Sequence, residues 1–422
     1  MANTPQKNLA VVLFLAVFLT ACGGGGGGDG DSNNSPASND SPTQSQDDST
    51  PEPIISEPMT SEPVIATPDE QSSEPSDNRP IIENNEPVEN DAQAALSVNN
   101  QFSLARTSCG LGGLSADTAF DDIAIRHANY IKYVFANSTP TSFNAHVENK
   151  INDIASVTGS SNPFFGGLDF SDRLSNANYR NAQYGATENI AQSVYYSSAG
   201  NFLRTDVVAT SMAKSLLAAP YHLRSLMLPP SSLVGTGMVT YKPHGKSVNN
   251  NQGYVLVSHA SATQTTKDKT VSGVFTYPCQ GVTGTVTALY NESPNPVEGT
   301  GRNLRTDPIG QPIYVSMPSA QKIKVSNIKF RDTQRNTNVP IQLIDFDNDP
   351  YLNTNYALPA NEAFILPLTD ALKSCEVTRA ANQSQQCGLY GNTKYQVSFD
   401  ILVDGKNLES KSFTFTTGEV NH

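Results

Sequence analysis

The side chains able to do chemistry fall into a few short stretches. Arg126-His127-Ala128-Asn129-Tyr130, Phe143-Asn144-Ala145-His146, Ala186-Thr187-Glu188-Asn189-Ile190-Ala191 and Pro220-Tyr221-His222-Leu223-Arg224-Ser225-Leu226 follow in that order, and Val234-Gly235-Thr236-Gly237 comes next. Imidazoles and carboxylates are the side chains that hold zinc and let it activate water. No Ser or Cys nucleophile motif accompanies them. His127 shares the helical spacing of Ile123 and Ile131 and reads as a core histidine, whereas Glu148 reads as facing solvent. Asp345-Phe346-Asp347-Asn348-Asp349 has the look of a calcium loop, but Pro350 stands where an EF-hand needs Gly and no Glu closes it. A strand end or solvated acidic turn is expected there. His244 and His259 are isolated and receive no role.

Helices and strands must position these groups. Ser115 or Asp117 can cap a helix with Phe120, Ile123, His127, Ile131 and Val134 on one face. Thr205 or Asp206 can cap a second, carrying Val208, Met212, Ser215 and Leu216, which Pro220 ends. A helical turn from His222 to Leu228 stops at Pro229-Pro230. Val234 to Tyr241 and Tyr254 to His259 read as strands joined by a polar loop. Farther on, Thr285 to Tyr290, Tyr314 to Met317, Ile323 to Phe330, Ile341 to Phe346, Tyr395 to Val403 and Ser412 to Phe415 read as strands. The clearest alternates Tyr395, Val397, Phe399, Ile401 and Val403 with polar residues and ends at an Asp404-Gly405 turn. The chain is therefore expected to be α+β, with a mixed domain at 97–280 and an immunoglobulin-like β-sandwich at 281–422.

In order and spacing, the stretches quoted first resemble the CAP superfamily (cysteine-rich secretory proteins, antigen 5 and pathogenesis-related proteins) in its bacterial form. The resemblance covers roughly residues 105–262. That family has a His after the first helix, a Gly-Glu-Asn element, a Pro-Gly-His-Arg-like turn and a Val-Gly-x-Gly strand. Phe170 to Tyr179, with Asp172-Arg173, resembles the Arg-containing segment that bacterial members place before the Glu. The resemblance implies an α-β-α sandwich whose cleft gathers His146, Glu188 and His222. Two imidazoles and one carboxylate make the ligand set of an open zinc site with a fourth position for water. The rival arrangement is a polar knot in which the histidines bond Glu188 and orient the loops. The sequence departs from the family at Thr187 and Tyr221, where Gly is usual, and near Ser215, where Trp is usual. The second acidic residue of eukaryotic members would fall near Ala218, so no carboxylate is expected there.

The N-terminus adds an address. Lys7 precedes the apolar run from Leu9 to Leu19, which is too short to span a bilayer comfortably. Leu19-Thr20-Ala21-Cys22 is similar to the lipobox of a bacterial lipoprotein signal peptide. That similarity implies a leader at 1–22, lipid on Cys22, and membrane anchoring through several acyl chains. Gly23 is not the Asp of inner-membrane retention, so the outer membrane or cell surface is the expected location.

Residues 23–96 are rich in Gly, Ser, Pro, Asn and acid. They read as a disordered tether, because so little apolar surface cannot offset chain entropy. Between Asp29 and Asp91 stand sixteen acidic residues against one basic, Arg79, so the net charge of −13 belongs to the tether. The remainder is close to neutral and has no basic stripe interleaved with aromatics, which argues against nucleic acid. With Cys22 lipidated, Cys109, Cys279, Cys375 and Cys387 are expected to pair in an oxidising compartment. Three connectivities are open; Cys375 and Cys387 would close a local loop, and Cys109 with Cys279 would tie the ends of the central domain.

Three functions remain: a surface binding module for a lipid, sterol or protein partner; a metal-dependent hydrolase of peptide or cell-wall material, using zinc; and a structural display protein. The first is favoured, because a cleft is expected without a complete catalytic apparatus.

Overall fold

The computed structural model describes the backbone of Leu13–Cys22 and residues 87–369 and 387–420. Asp91 caps the first helix, α1 (Ala92–Ser108), by accepting from the Ala94 N–H at 3.0 Å. The helix therefore begins inside the stretch expected to be tether. After a two-residue strand, β2 (Ser115–Ala116), Asp117 caps α2 (Thr118–Asn137) through the Phe120 N–H at 3.1 Å. Ser115, the other candidate cap, lies in the strand. Next come α3 (Phe170–Asn176), β3 (Ala186–Tyr196) and α4 (Thr205–Leu216). The cap position of α4 is Arg204, with no side-chain cap bond; Thr205 and Asp206 fall in the first turn instead. Pro220 starts α5 (Pro220–Leu226), using the position where a missing N–H costs nothing. The hairpin β4 (Leu233–Tyr241) and β5 (Asn251–Ser261) follows.

With Leu13–Cys22 taken as β1, these strands form one sheet in the order β1-β3-β5-β4-β2. Because side chains alternate across a strand, each face has its own cover. Ile190, Val239, Val255 and Val257 meet Ala128, Ile131 and Val134 of α2. Ala191, Tyr195, Met238 and Leu256 meet α1, α4 and α5. Gly235 and Gly237 explain how α2 comes so close: a Cβ on Gly235 would sit 2.2 Å from the Phe120 carbonyl carbon, and one on Gly237 2.7 Å from that of Ala124.

The rest of the chain makes two further sheets. One has the order β11-β12-β8-β6, from β6 (Phe275–Tyr277), β8 (Ile313–Ser316), β11 (Ile341–Asp345) and β12 (Glu362–Pro367). The other has the order β10-β9-β13-β14-β7, from β7 (Thr283–Thr285), β9 (Ile323–Asp332), β10 (Thr337–Asn338), β13 (Lys394–Val403) and β14 (Asn407–Thr417). They pack face to face: Ile313, Val315 and Ile365 of the first share a core with Val325, Phe330, Tyr395 and Phe413 of the second.

The alternate residues of that first sheet, Tyr314, Phe364 and Leu366, turn the other way. They join the same core as Met212, Leu216 and Leu223. The middle sheet is thus buried on both sides, and the two expected domains share one interior. Phe275–Tyr277 belongs to the second architecture, so the change of architecture precedes residue 280. The expected strand Thr285 to Tyr290 is reduced to β7 and a single bridge, Leu289 to Ile309. Cys109 is disulfide-bonded to Cys279, with Cα atoms 5.6 Å apart. Cys387 is also disulfide-bonded, while Cys375 lies outside the described residues. Among the described residues no helix is long and apolar enough to cross a membrane.

Candidate functional site

Glu188 is the one carboxylate the resemblance singles out, and β3 turns its side chain toward α2. Its direct cross-strand neighbour on β5 is His259, whose other neighbour is Gly235 of β4. Gly235 leaves room for α2 above His259, and the imidazole packs against Phe120 and Phe170 at 5.0 and 4.7 Å between ring centres. From α3, Arg173 reaches over the same spot. His146 arrives on the loop after α2.

The four side chains close on one another. Arg173 Nη2 donates to both Glu188 oxygens at 2.7 Å, His146 Nδ1 lies 2.8 Å from Oε1, and His259 Nε2 lies 3.0 Å from Oε2. Alongside, His127 faces Glu148 at 2.6 Å through Nδ1 and the Ala145 carbonyl at 2.7 Å through Nε2. Glu148 also accepts from the Gly166 N–H at 2.6 Å. Arg173 Nη1 stands 3.8 Å from Glu148 and joins the two halves. Every member is buried, and His146 is the most exposed at 5%. Glu148, expected in solvent, is completely buried. The reason is local: it supplies the acceptor for His127 and for the glycine turn before α3.

Burial alone would push the Glu188 carboxyl up. Arg173, with His127, His146 and His259, outweighs it and holds the group well below the usual carboxylate range. Burial pushes His259 the other way for an imidazole, below its ordinary value, and Glu188 only partly opposes this. The cluster is thus an ionised carboxylate enclosed by donors.

His222 is elsewhere. Asn189, one residue beyond Glu188, points to the opposite face of the sheet, where its Oδ1 accepts from Ser225 of α5 at 2.7 Å. His222 sits on that same short helix. Its Nδ1 lies 3.3 Å from Oε1 of Glu292, which also accepts from the Tyr221 N–H at 2.9 Å. The expected His146, Glu188 and His222 set therefore does not assemble. A period of two along β3 separates the carboxylate from the helix that carries His222. A carboxylate does stand beside His222, but it comes from Glu292, seventy residues later in the chain. Burial raises the Glu292 carboxyl well above its usual range, with backbone N–H groups of Tyr221 and His222 offsetting part of this.

Zinc does not fit the expected residues. Both oxygens of Glu188 are engaged by three donors, one a guanidinium whose fixed positive charge would oppose a cation. Among the described residues no group of three or more His, Cys, Asp or Glu side chains could hold a metal ion. The carboxylates of the Asp345–Asp349 turn are already engaged: Asp349 accepts from the Tyr351 and Leu358 N–H groups at 3.0 and 2.6 Å, Asp345 from that of Asp347 at 3.1 Å, and Asp347 pairs with Lys322 at 2.7 Å. This is the turn at the end of β11, as its failed calcium spacing suggests.

His259, Glu148 as a buried partner, and Glu292 are the residues that sequence reasoning missed. His259 has only the register opposite Glu188 to identify it, and register is a property of the folded sheet. No family model matches the sequence, and no curated protein is significantly similar to it.

Proposed function

We propose that this protein is an extracytoplasmic lipoprotein anchored through Cys22, with a CAP-like region that acts as a rigid binding module and not as a metal-dependent hydrolase. The observation that carries the reading is the saturation of Glu188: three donors occupy its oxygens in a buried cluster, so this carboxylate has no oxygen left over for zinc or for activating water. The His and Glu motifs that resemble the CAP pattern then serve to lock α2, α3, β3 and β5 together. Recognition of a lipid or extracellular partner falls to surfaces outside that cluster. The leader, the tether and the proposed outer-membrane or surface location rest on the lipobox-like Leu19-Thr20-Ala21-Cys22; cleavage before Cys22 would remove nearly all of β1 and leave β3 at the sheet edge in the mature protein.

The test has two arms on the same preparations. Wild type is expected in the membrane fraction and Cys22→Ser in the soluble fraction. Zinc titration by calorimetry is expected to give no stoichiometric binding, while His146→Ala lowers the melting temperature. Tight one-to-one zinc binding lost in His146→Ala would overturn the non-catalytic reading; unchanged partitioning of Cys22→Ser would overturn the anchor.

A further inference from the structure

The outer face of the last sheet is polar along most of its rungs; the exception is the rung of Lys324, which carries Leu402 and the exposed Leu408. Strand register places Lys329 beside Ser398 and Ser398 beside Ser412, and in the next rung Ser326 beside Asp400 and Asp400 beside Ser410. Successive rungs are two residues apart, so each step is roughly 7 Å. The cations of β9 run along one margin: Lys324, Lys329 and Arg331 are all exposed, and none forms an ion pair with a described residue. Over the three steps from Lys324 to Arg331 they span about 20 Å.

A β-bulge shapes the middle. The β9–β13 register shifts between Ser398 and Asp400, and Asn327 takes up the extra residue with φ +51°. The bulge aims Asn327 Nδ2 at Asp400 at 2.7 Å, and the Ser410 hydroxyl donates to the same carboxylate at 2.5 Å. These two donors, with the lysine charge of Lys329 nearby, hold Asp400 below its usual range. Two donors leave lone pairs of the carboxylate free toward solvent. A depression of about 580 Å³ opens over these strands, with Asn327, Lys329, Ser398, Asp400, Ser410 and Ser412 among its lining residues.

We infer that this face binds an acidic polysaccharide. The row of cations takes a linear polyanion by charge complementarity. The serine rungs and the fixed Asp400 carboxylate supply donors and acceptors for sugar hydroxyls, and Asp400 would repel a polymer that carried charge but no hydroxyl. Phe330, Tyr395, Phe399, Phe413 and Phe415 all point into the core. With no aromatic platform from these strands, neither stacked bases nor a neutral sugar ring finds the surface it needs. β13 is bonded on both sides, so an added acidic peptide strand is excluded from the Ser398 and Asp400 rungs, whereas β9 is covered by β10 only at Arg331 and Asp332. The inference stands on this sheet alone and is independent of the lipid anchor and of the His146–Glu188 cluster.

The experiment uses the full chain on surfaces coated with polygalacturonate, neutral dextran or polyphosphate. Polygalacturonate is expected to retain the protein at low salt and to release it as salt rises. Lys329→Gln combined with Arg331→Gln should weaken retention at least tenfold with an unchanged melting curve. Asp400→Asn should weaken binding to polygalacturonate while strengthening binding to polyphosphate. No retention at low salt, equal retention on dextran, equal retention of the double variant, or tighter wild-type binding to polyphosphate than to polygalacturonate would each overturn the inference.

Discussion

Replacing Arg173 by Met removes the one permanent positive charge from the buried cluster while keeping an unbranched apolar stem. Arg173 is 3% exposed and bonds both oxygens of Glu188, and it is also the nearest cation to Glu148. Removing one partner of a buried pair strands the other charge, at a cost of about 3–5 kcal/mol. For a cooperative unit of this size that lowers the melting temperature by on the order of 5 °C.

A pH signature should accompany the loss. Glu188 lies below its unfolded value, so its contribution is present above that value and disappears as pH falls through the folded one. Without Arg173 the burial effect dominates, the carboxyl rises, and acid destabilisation moves to higher pH. Calorimetric melting at pH 5 and pH 7 reads both effects. Adding Glu188→Gln should recover part of the loss, with a coupling of about 2 kcal/mol in the double-mutant cycle. A melting temperature within about 1 °C of wild type (less than the shift expected from about 1 kcal/mol) would refute the claim that Arg173 holds the cluster.

Glu292 gives the opposite pH dependence. Its carboxyl is raised, so the stability it contributes is complete below its unfolded value and is lost as pH rises toward the folded one. Glu292→Gln should therefore gain on wild type between pH 4.5 and pH 8 in denaturant titrations, with His222, Tyr221 and nearby Asp349 unchanged; a constant difference would refute this. At Gly235, Ala should cost at least about 1–3 kcal/mol by overpacking, because its Cβ meets rigid backbone of α2 at 2.2 Å. Urea unfolding with a midpoint equal to wild type would show that α2 can retreat.

Much of the fold was legible because most elements expose one face. The alternation of Tyr395 to Val403 predicted β13, and the spacing from Phe120 to Val134 predicted α2. β12 was invisible for the converse reason: Ala363, Phe364, Ile365 and Leu366 are all buried, so no polar residue marks the period. The helix α1 was lost to the tether because it is short of apolar contrast, although Asp91 was available as its cap. At the site, the CAP resemblance implied that His146 and Glu188 meet, and they do. The exclusion of His222 required knowing which face of β3 each residue takes, and the roles of His259 and Glu292 required register and long-range packing. None of these is written in local spacing.

The middle sheet has a mechanical consequence. Since Tyr314, Phe364 and Leu366 face the helices while Ile313, Val315 and Ile365 face the last sheet, among the described residues the helical layer, the middle sheet and the last sheet are joined by continuous side-chain packing. Cutting the chain near residue 280 would bare an apolar face on each fragment, so neither half is a natural excision product or a sound expression unit. A load applied to the outer sheet would be carried through to the helical layer without a hinge to absorb it. These packed layers would transmit position and force as one body.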